Sequence, residues 1–293
     1  MLEGRILKAL SGFYYVKNGT ILYQCRGRGV FRNQAIKPLV GDLVQFEPRE
    51  NNEGYITHIQ ERQNELVRPP VANIDQAIIM SSAVDPSFSP LLLDRFLLLM
   101  EAKRIDAIIV ISKMDLSHSN IDLDIKAYRE AYEQIGYPVI PLSIQDQTDI
   151  QKLGHYLTNK VSVIAGQSGV GKSTLINELN QTLNLETGDI SKSLGRGKHT
   201  TRHVELLDVY DGLIADTPGF SSIDFSEIDL DELSDCFPEM RHLNHQCKFR
   251  GCTHRQEPGC AVKVAVDEGT VPAFRYKHYL NFYDEIQSRK PRY

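Results

Sequence analysis

The sequence predicts an α/β protein. Its centre is a mostly parallel, doubly wound sheet, with a small β-barrel ahead of it and a short cysteine-rich helical segment behind. Three observations carry this. From Asp75 onward, apolar strand-like runs alternate with helical stretches; the first 70 residues hold five short β-type runs; and three of the five cysteines fall between Cys247 and Cys260. Alternation of the first kind specifies parallel strands with helices on both faces.

At 293 residues the chain has room for two domains or three small ones. A hydrophobic share of 41% and a charged share of 24% are ordinary for a globular protein. MLEGRILKAL, at the N-terminus, has no apolar signal-peptide core and no small-residue cleavage site. The most apolar run, Pro90 to Met100, is too short to cross a bilayer and contains Asp94 and Arg95. It reads as a buried helix, so no membrane contact is expected and the expected setting is the cytoplasm. The net charge of −5 alone argues against a nucleic-acid partner, but the charge is unevenly placed. Residues 1–70 carry ten Lys and Arg against seven Asp and Glu, net +3; residues 71–235 carry 13 against 25, net −12; residues 236–293 carry ten against six, net +4. Polyanion contact therefore belongs to the two ends.

The five β-type runs are RILKAL, GFYYV, TILYQCR, DLVQFEP and GYITHI, with Asn18-Gly19 as a two-residue hairpin turn between the second and third. Five short strands in under 70 residues suit an oligonucleotide-binding-type barrel, and an SH3-like barrel fits nearly as well. A boundary is expected at Arg68-Pro69-Pro70.

In the central part, DQAIIMSSA, DAIIVISKMD, YPVIPLS, VSVIAG, VELLDV and GLIAD read as strands, the last two joined at Asp211-Gly212. Helices are expected over Pro90 to Ala102, around Asp124 to Gln134, and from Lys172. Near the end, VPAFRYKHYLNFYDEI reads as an amphipathic helix with Tyr276, Tyr279, Leu280, Tyr283 and Ile286 on its core face.

Residues 166–174, GQSGVGKST, follow a strand and open a helix. This is the phosphate-loop pattern G-x-x-x-x-G-K-[ST] in its proper context. The backbone of Gly166, Gln167, Ser168, Gly169, Val170 and Gly171 would close around phosphates at the helix N-terminus. Lys172 would reach the β- and γ-phosphates, Ser173 would ligate Mg²⁺, and Thr174 would complete the cradle. Asp216-Thr217-Pro218-Gly219 follows an apolar strand, where an Mg²⁺-linked carboxylate and a γ-phosphate-sensing backbone N–H are needed. Ser112-Lys113-Met114-Asp115 resembles the N/T-K-x-D guanine motif, in which the Asp accepts hydrogen bonds that only guanine offers. Ser112 stands where Asn or Thr is usual, at a position that tethers neighbouring loops.

The guanine motif precedes the phosphate loop, and the base-flanking loop should lie near Ser143, so the domain is circularly permuted, which is cheap when termini lie close together. A permuted GTPase between a small barrel and a Cys/His cluster resembles the ribosome small-subunit-dependent GTPase A family, also called the YjeQ family, over essentially the whole chain. That resemblance implies a circularly permuted P-loop GTPase domain with an N-terminal OB-type β-barrel and a small C-terminal zinc-binding helical domain. Boundaries are expected at 1–68, 69–222 and 223–293. It also implies hydrolysis of GTP to GDP, stimulated by the small ribosomal subunit during late assembly of that subunit. The expected partners are the subunit and its rRNA, and the chain is expected to be a monomer.

Residues 195–203, GRGKHTTRH, lie where the first switch belongs, so Thr200 or Thr201 would bind Mg²⁺ and the γ-phosphate. Phe220 follows DTPG where Ras-like enzymes carry a water-orienting Gln, which makes His199 the candidate for that task. Cys247, Cys252, His254 and Cys260 form a Cys₃His set suited to one structural Zn²⁺. The rival reading is an RNA-binding translation regulator that uses its nucleotide site as a slow sensor. An ATP-dependent kinase is disfavoured by Asp115.

Overall fold

The structure, a computed structural model, describes residues 1–27, 37–117, 119–187, 204–216, 225 and 228–289. The expectations placed on His199, Thr200, Thr201, Gly219 and Phe220 lie outside the described residues.

Five strands form the N-terminal barrel: β1 (Leu2–Leu10), β2 (Phe13–Asn18), β3 (Ile21–Gly27), β4 (Leu43–Pro48) and β5 (Glu53–Ile59). The ring closes in the order β1-β2-β3-β5-β4 and back to β1, antiparallel except for β3 beside β5. Ile6, Val16, Tyr23, Cys25, Val44, Phe46 and Ile56 fill it. Burial pushes the Cys25 thiol up to about 11, so it packs as a small apolar group. The β2–β3 loop is Gly19-Thr20 rather than Asn18-Gly19, because Asn18 pairs with Ile21 and Gly19 supplies the positive φ of 58°.

A short hairpin, β6 (Glu65–Leu66) and β7 (Val71–Ala72), spans Arg68-Pro69-Pro70. Gly41 packs against it so closely that a Cβ there would sit 2.0 Å from the Ala72 carbonyl oxygen. β8 (Gln76–Ser82), β9 (Asp106–Ser112), β10 (Val139–Leu142), β11 (Val161–Gly166), β12 (Glu205–Val209) and β13 (Gly212–Asp216) follow in the order β10-β9-β8-β11-β13-β12. All pairings are parallel except β12 with β13.

Alternate residues of the central strands face opposite layers. Ala77 and Ile79 meet the helix Pro90–Ala102 (α1) and the helix Ser119–Ile135 (α2). Ile78 and Met80 meet the helices Gln147–Leu157 (α3) and Lys172–Thr187 (α4). With both faces covered, the strands need continuous rather than alternating apolar residues. The β12–β13 turn is Tyr210-Asp211, both at positive φ, rather than Asp211-Gly212. Gly212 is small for another reason: a Cβ there would lie 1.9 Å from the Leu157 carbonyl oxygen.

Barrel and central sheet are continuous, because β1 also pairs with β12 at Lys8 and Glu205, whose side chains bond at 2.9 Å. The C-terminal segment holds three short helical turns, then the helices Ala261–Asp267 (α5) and Ala273–Gln287 (α6). On α6 the buried residues are Arg275, His278, Tyr279, Phe282 and Ile286, so the inward face is rotated from the expected tyrosine stripe. Tyr276 and Tyr283 flank the core, while two basic residues enter it.

Candidate functional site

The loops at the carboxyl ends of β8, β9, β10 and β11 converge, as ligand sites in open α/β sheets do. Gly166 ends β11 at φ 144°, and a Cβ there would meet the Met80 carbonyl oxygen at 2.3 Å. Gly169 and Gly171 also take positive φ, 88° and 96°. These three positions let the 166–171 backbone curl into a concave turn ahead of α4. Gln167, Ser168, Ser173 and Thr174 are exposed around it, whereas Val170 is buried. The Lys172 ammonium donates to the carbonyls of Gly166 (2.6 Å) and Gln167 (2.8 Å), and burial lowers its pKa below the ordinary lysine value. A cation so held at the mouth of the turn is placed for a polyphosphate.

Ser112 ends β9 fully buried. Its hydroxyl oxygen lies 2.7 Å from the Val170 carbonyl oxygen and 3.2 Å from that of Ser81, which ties the guanine-type motif to the phosphate-type loop. Lys113 takes a left-handed φ of 59° and donates to the Asp85 carbonyl. Met114 packs against the core, leaving Asp115 exposed on the next turn. The Ser143 N–H donates to Asp149 at 3.1 Å, and the neighbouring Ile144 lies 3.8 Å from where a Gly171 Cβ would be. Asp216 ends β13, and its side chain lies outside the described residues.

Sequence reasoning missed the β8–α1 loop in this site. Pro86 is 3.6 Å from the Gly169 Cβ position, and the Asp85 carbonyl holds Lys113. Both the Asp85 bond and Ser112's partners are backbone carbonyls, for which no residue type gives a signal.

A second centre lies in the C-terminal segment. The donor atoms of Cys247, Cys252, His254 and Cys260 all fall within 4.8 Å of one another. His254 Nδ1 is 3.3 Å from Cys260 Sγ and 3.7 Å from Cys247 Sγ, and those two sulfurs are 4.0 Å apart. Zn–S bonds near 2.3 Å and a Zn–N bond near 2.0 Å imply tetrahedral edges of about 3.5–3.8 Å, so the set fits that ion. Burial lowers the His254 pKa and keeps the imidazole neutral, as a ligand must be. Burial, with Cys260 close by, pushes the Cys252 thiol up to about 12, so a cation is needed to hold these sulfurs as thiolates. The ligand loop is braced from outside: Tyr276 donates to the His254 carbonyl (2.6 Å) and Tyr279 to the Thr253 carbonyl (2.7 Å). Glu257 accepts from the Thr253 hydroxyl (2.6 Å) and from the Thr253 and Arg255 N–H groups.

Among the described residues, no helix is long and apolar enough to cross a membrane. The chain matches the RsgA GTPase family over residues 59–226 and the RsgA N-terminal domain over 3–56. It is 61% identical to the small ribosomal subunit biogenesis GTPase RsgA 2 of Oceanobacillus iheyensis and 57% identical to the RsgA of Geobacillus kaustophilus. Both matches run over 293 residues and cover all of each chain. Among solved structures it resembles YloQ, described as a circularly permuted GTPase, with a TM-score of 0.87 at 48% identity, covering 100% of this chain and 97% of the other. YjeQ from Thermotoga maritima superimposes with a TM-score of 0.87 at 33% identity, covering 99% of both chains.

Proposed function

Because the chain belongs to the RsgA GTPase family, whose members hydrolyse GTP, we propose that it acts in biogenesis of the small ribosomal subunit, with turnover stimulated by that subunit. The observation that carries this reading is identity of 61% over the full length to a relative bearing that name. The partners are the subunit and its rRNA, met by a monomer in the cytoplasm during late assembly. The functional units run over 1–68, 69–222 and 223–293.

In this reading Asp115 accepts from guanine, Ser143 lies in the loop flanking the base, and residues 166–174 hold the phosphates. Ser173 and Asp216 hold Mg²⁺, which would draw charge from the β- and γ-phosphate oxygens. Either Thr200 or Thr201 joins them, and the Gly219 N–H meets the γ-phosphate. In hydrolysis a water oxygen bonds to the γ-phosphorus while the bond to the bridging oxygen breaks, leaving GDP. The water's proton passes to the released phosphate. Lys172 offsets the charge that develops, and His199 orients the water that Phe220 cannot. The Cys₃His set holds one structural Zn²⁺, its geometry and neutral imidazole supporting that ion.

The test is steady-state phosphate release with and without purified small subunits. A rise of tenfold or more with subunits is expected. Negligible turnover in both, with subunits still bound, would instead favour a translation regulator with a slow nucleotide sensor.

A further inference from the structure

In the parallel pair β9 and β10, Leu142 lies opposite Ser112. The chain therefore leaves the sheet at neighbouring points, once into the turn that presents Asp115 and once into residues 143–146. This second turn is closed twice. The Asp146 N–H donates to the Ser143 carbonyl at 3.1 Å, and the Ser143 N–H donates to the Asp149 carboxylate, also at 3.1 Å. Asp149 stands in the first turn of α3 with its side chain 19% exposed, and its other carboxylate oxygen pairs with Lys152 at 3.2 Å. The buried Ile150, Leu153 and Leu157 seat that helix on the sheet. A carboxylate reaching back from a seated helix fixes the point at which the turn leaves β10.

That bonding leaves donors unspent. Asp146 commits its own carboxylate to the Thr148 N–H at 2.8 Å. Among the described residues, the N–H groups of Ile144 and Gln145, inside the turn, have no acceptor. Ile144 also borders the phosphate-type loop, with its Cδ1 3.8 Å from the Gly171 Cβ position. A guanine read by Asp115 through its N1–H and 2-amino group still carries a 6-oxo oxygen on the same edge. That oxygen only accepts, and a bound base that leaves it unmet loses affinity.

We propose that Asp149 is a positioning residue for the nucleotide base: by holding Ser143, it sets the 143–146 turn so that a backbone N–H of Ile144 or Gln145 donates to the 6-oxo oxygen. The proposal rests on the guanine-nucleotide reading and deepens it. The test compares GTP with 6-thio-GTP, in which a weakly accepting sulfur replaces the 6-oxo oxygen while the N1–H and 2-amino group remain. The natural protein should prefer GTP by about tenfold. Asp149→Ala should bind GTP about tenfold more weakly and reduce that preference to about twofold. Asp149→Asn, whose side-chain oxygen still accepts from Ser143, should restore both. A purely structural role would weaken the two nucleotides equally, so an unchanged preference in Asp149→Ala overturns the proposal and leaves the guanine reading standing. No preference in the natural protein overturns it as well. So does a Ser143 amide that exchanges with solvent as fast as an unbonded one, a measurement that needs no variant. Binding of ATP as tight as that of GTP to the natural protein would sink the guanine reading, and the positioning role with it.

Discussion

The guanidinium of Arg275 lies 2.6 Å from the carboxylate of Asp94, and both side chains are buried. Asp94 sits mid-way along α1, among leucines, and also accepts from Tyr132 (2.7 Å) and His278 (2.5 Å). Arg275 donates to Glu239 at 2.6 and 3.2 Å and lies 4.6 Å from the Phe237 ring centroid. One face of α1 supplies Leu93, Phe96, Leu97 and Met100 to the central sheet; the other brings Leu98 into the C-terminal core and pairs Arg95 with Glu285 and Glu101 with Arg241. The helix is therefore shared by two cores. Its leading loop, at Asp85 and Pro86, borders the phosphate-type turn, so the C-terminal segment is joined to that turn, the proposed nucleotide site, through a packed helix.

Removing one partner of a buried pair leaves an uncompensated charge, which costs about 3–5 kcal/mol. Asp94→Ala should lower unfolding stability by about that much, measured by urea denaturation. The combination Asp94→Leu with Arg275→Met should cost less than the sum of its two single changes. Additive losses would show that the two groups do not depend on each other.

Metal content gives the second test. Purified protein should carry about one zinc per chain, and Cys260→Ser or a strong chelator should release it. Amide exchange should then speed up through residues 244–260, while β8, β9 and β11 keep their protection.

Glu257 should show acid sensitivity of a defined sign. Burial pushes its carboxyl up, but hydrogen bonds from the Thr253 hydroxyl and from the Thr253 and Arg255 N–H groups outweigh this and hold it at about 2, against about 4.5 for an ordinary glutamate. A pKa depressed in the folded state means that its contribution is fully present above about pH 4.5 and is lost as pH falls through about 2. The Glu257 side-chain carboxyl carbon should titrate with a midpoint near 2 by NMR, and Glu257→Gln should loosen the Thr253–Arg255 turn at neutral pH. An ordinary glutamate midpoint would contradict the bonding described for this turn.

Much of this fold was legible because its signals are local. The phosphate-loop glycines announce themselves by spacing, and β8, β9 and β11 by unbroken apolar runs that only two-sided burial explains. α3 went unread although Asp146 caps its start, accepting from the Thr148 N–H at 2.8 Å; its polar QTDIQK opening hid the periodicity of Ile150, Leu153 and Leu157. The buried basic face of α6 was illegible for a different reason. Arg275 and His278 enter the core only because Asp94, some 180 positions earlier, lies opposite them, and no local pattern encodes that partner.

Base selectivity tests the exposed Asp115. Asp115→Asn should weaken GTP binding and improve binding of xanthosine triphosphate, whose 2-oxo group suits an amide donor. Competition by ATP as strong as by GTP against the natural protein would remove Asp115 from its assigned role.

Ser112 supplies the last prediction. Its hydroxyl has one proton for two carbonyl oxygens, and Val170 at 2.7 Å is favoured over Ser81 at 3.2 Å. That bond is buried and joins the turn presenting Asp115 to the turn expected to hold phosphate. Ser112→Ala would leave the Val170 carbonyl without this donor, at a cost of about 1–3 kcal/mol in unfolding stability. Because the two turns would then be placed independently, GTP should bind more weakly by about tenfold, mainly through KM. Ser112→Thr retains the hydroxyl and should restore most of the affinity. If alanine and threonine variants bind GTP equally well, the hydroxyl does not couple the two halves of the site. A loss in alanine that threonine repairs would separate that coupling from general damage to the fold.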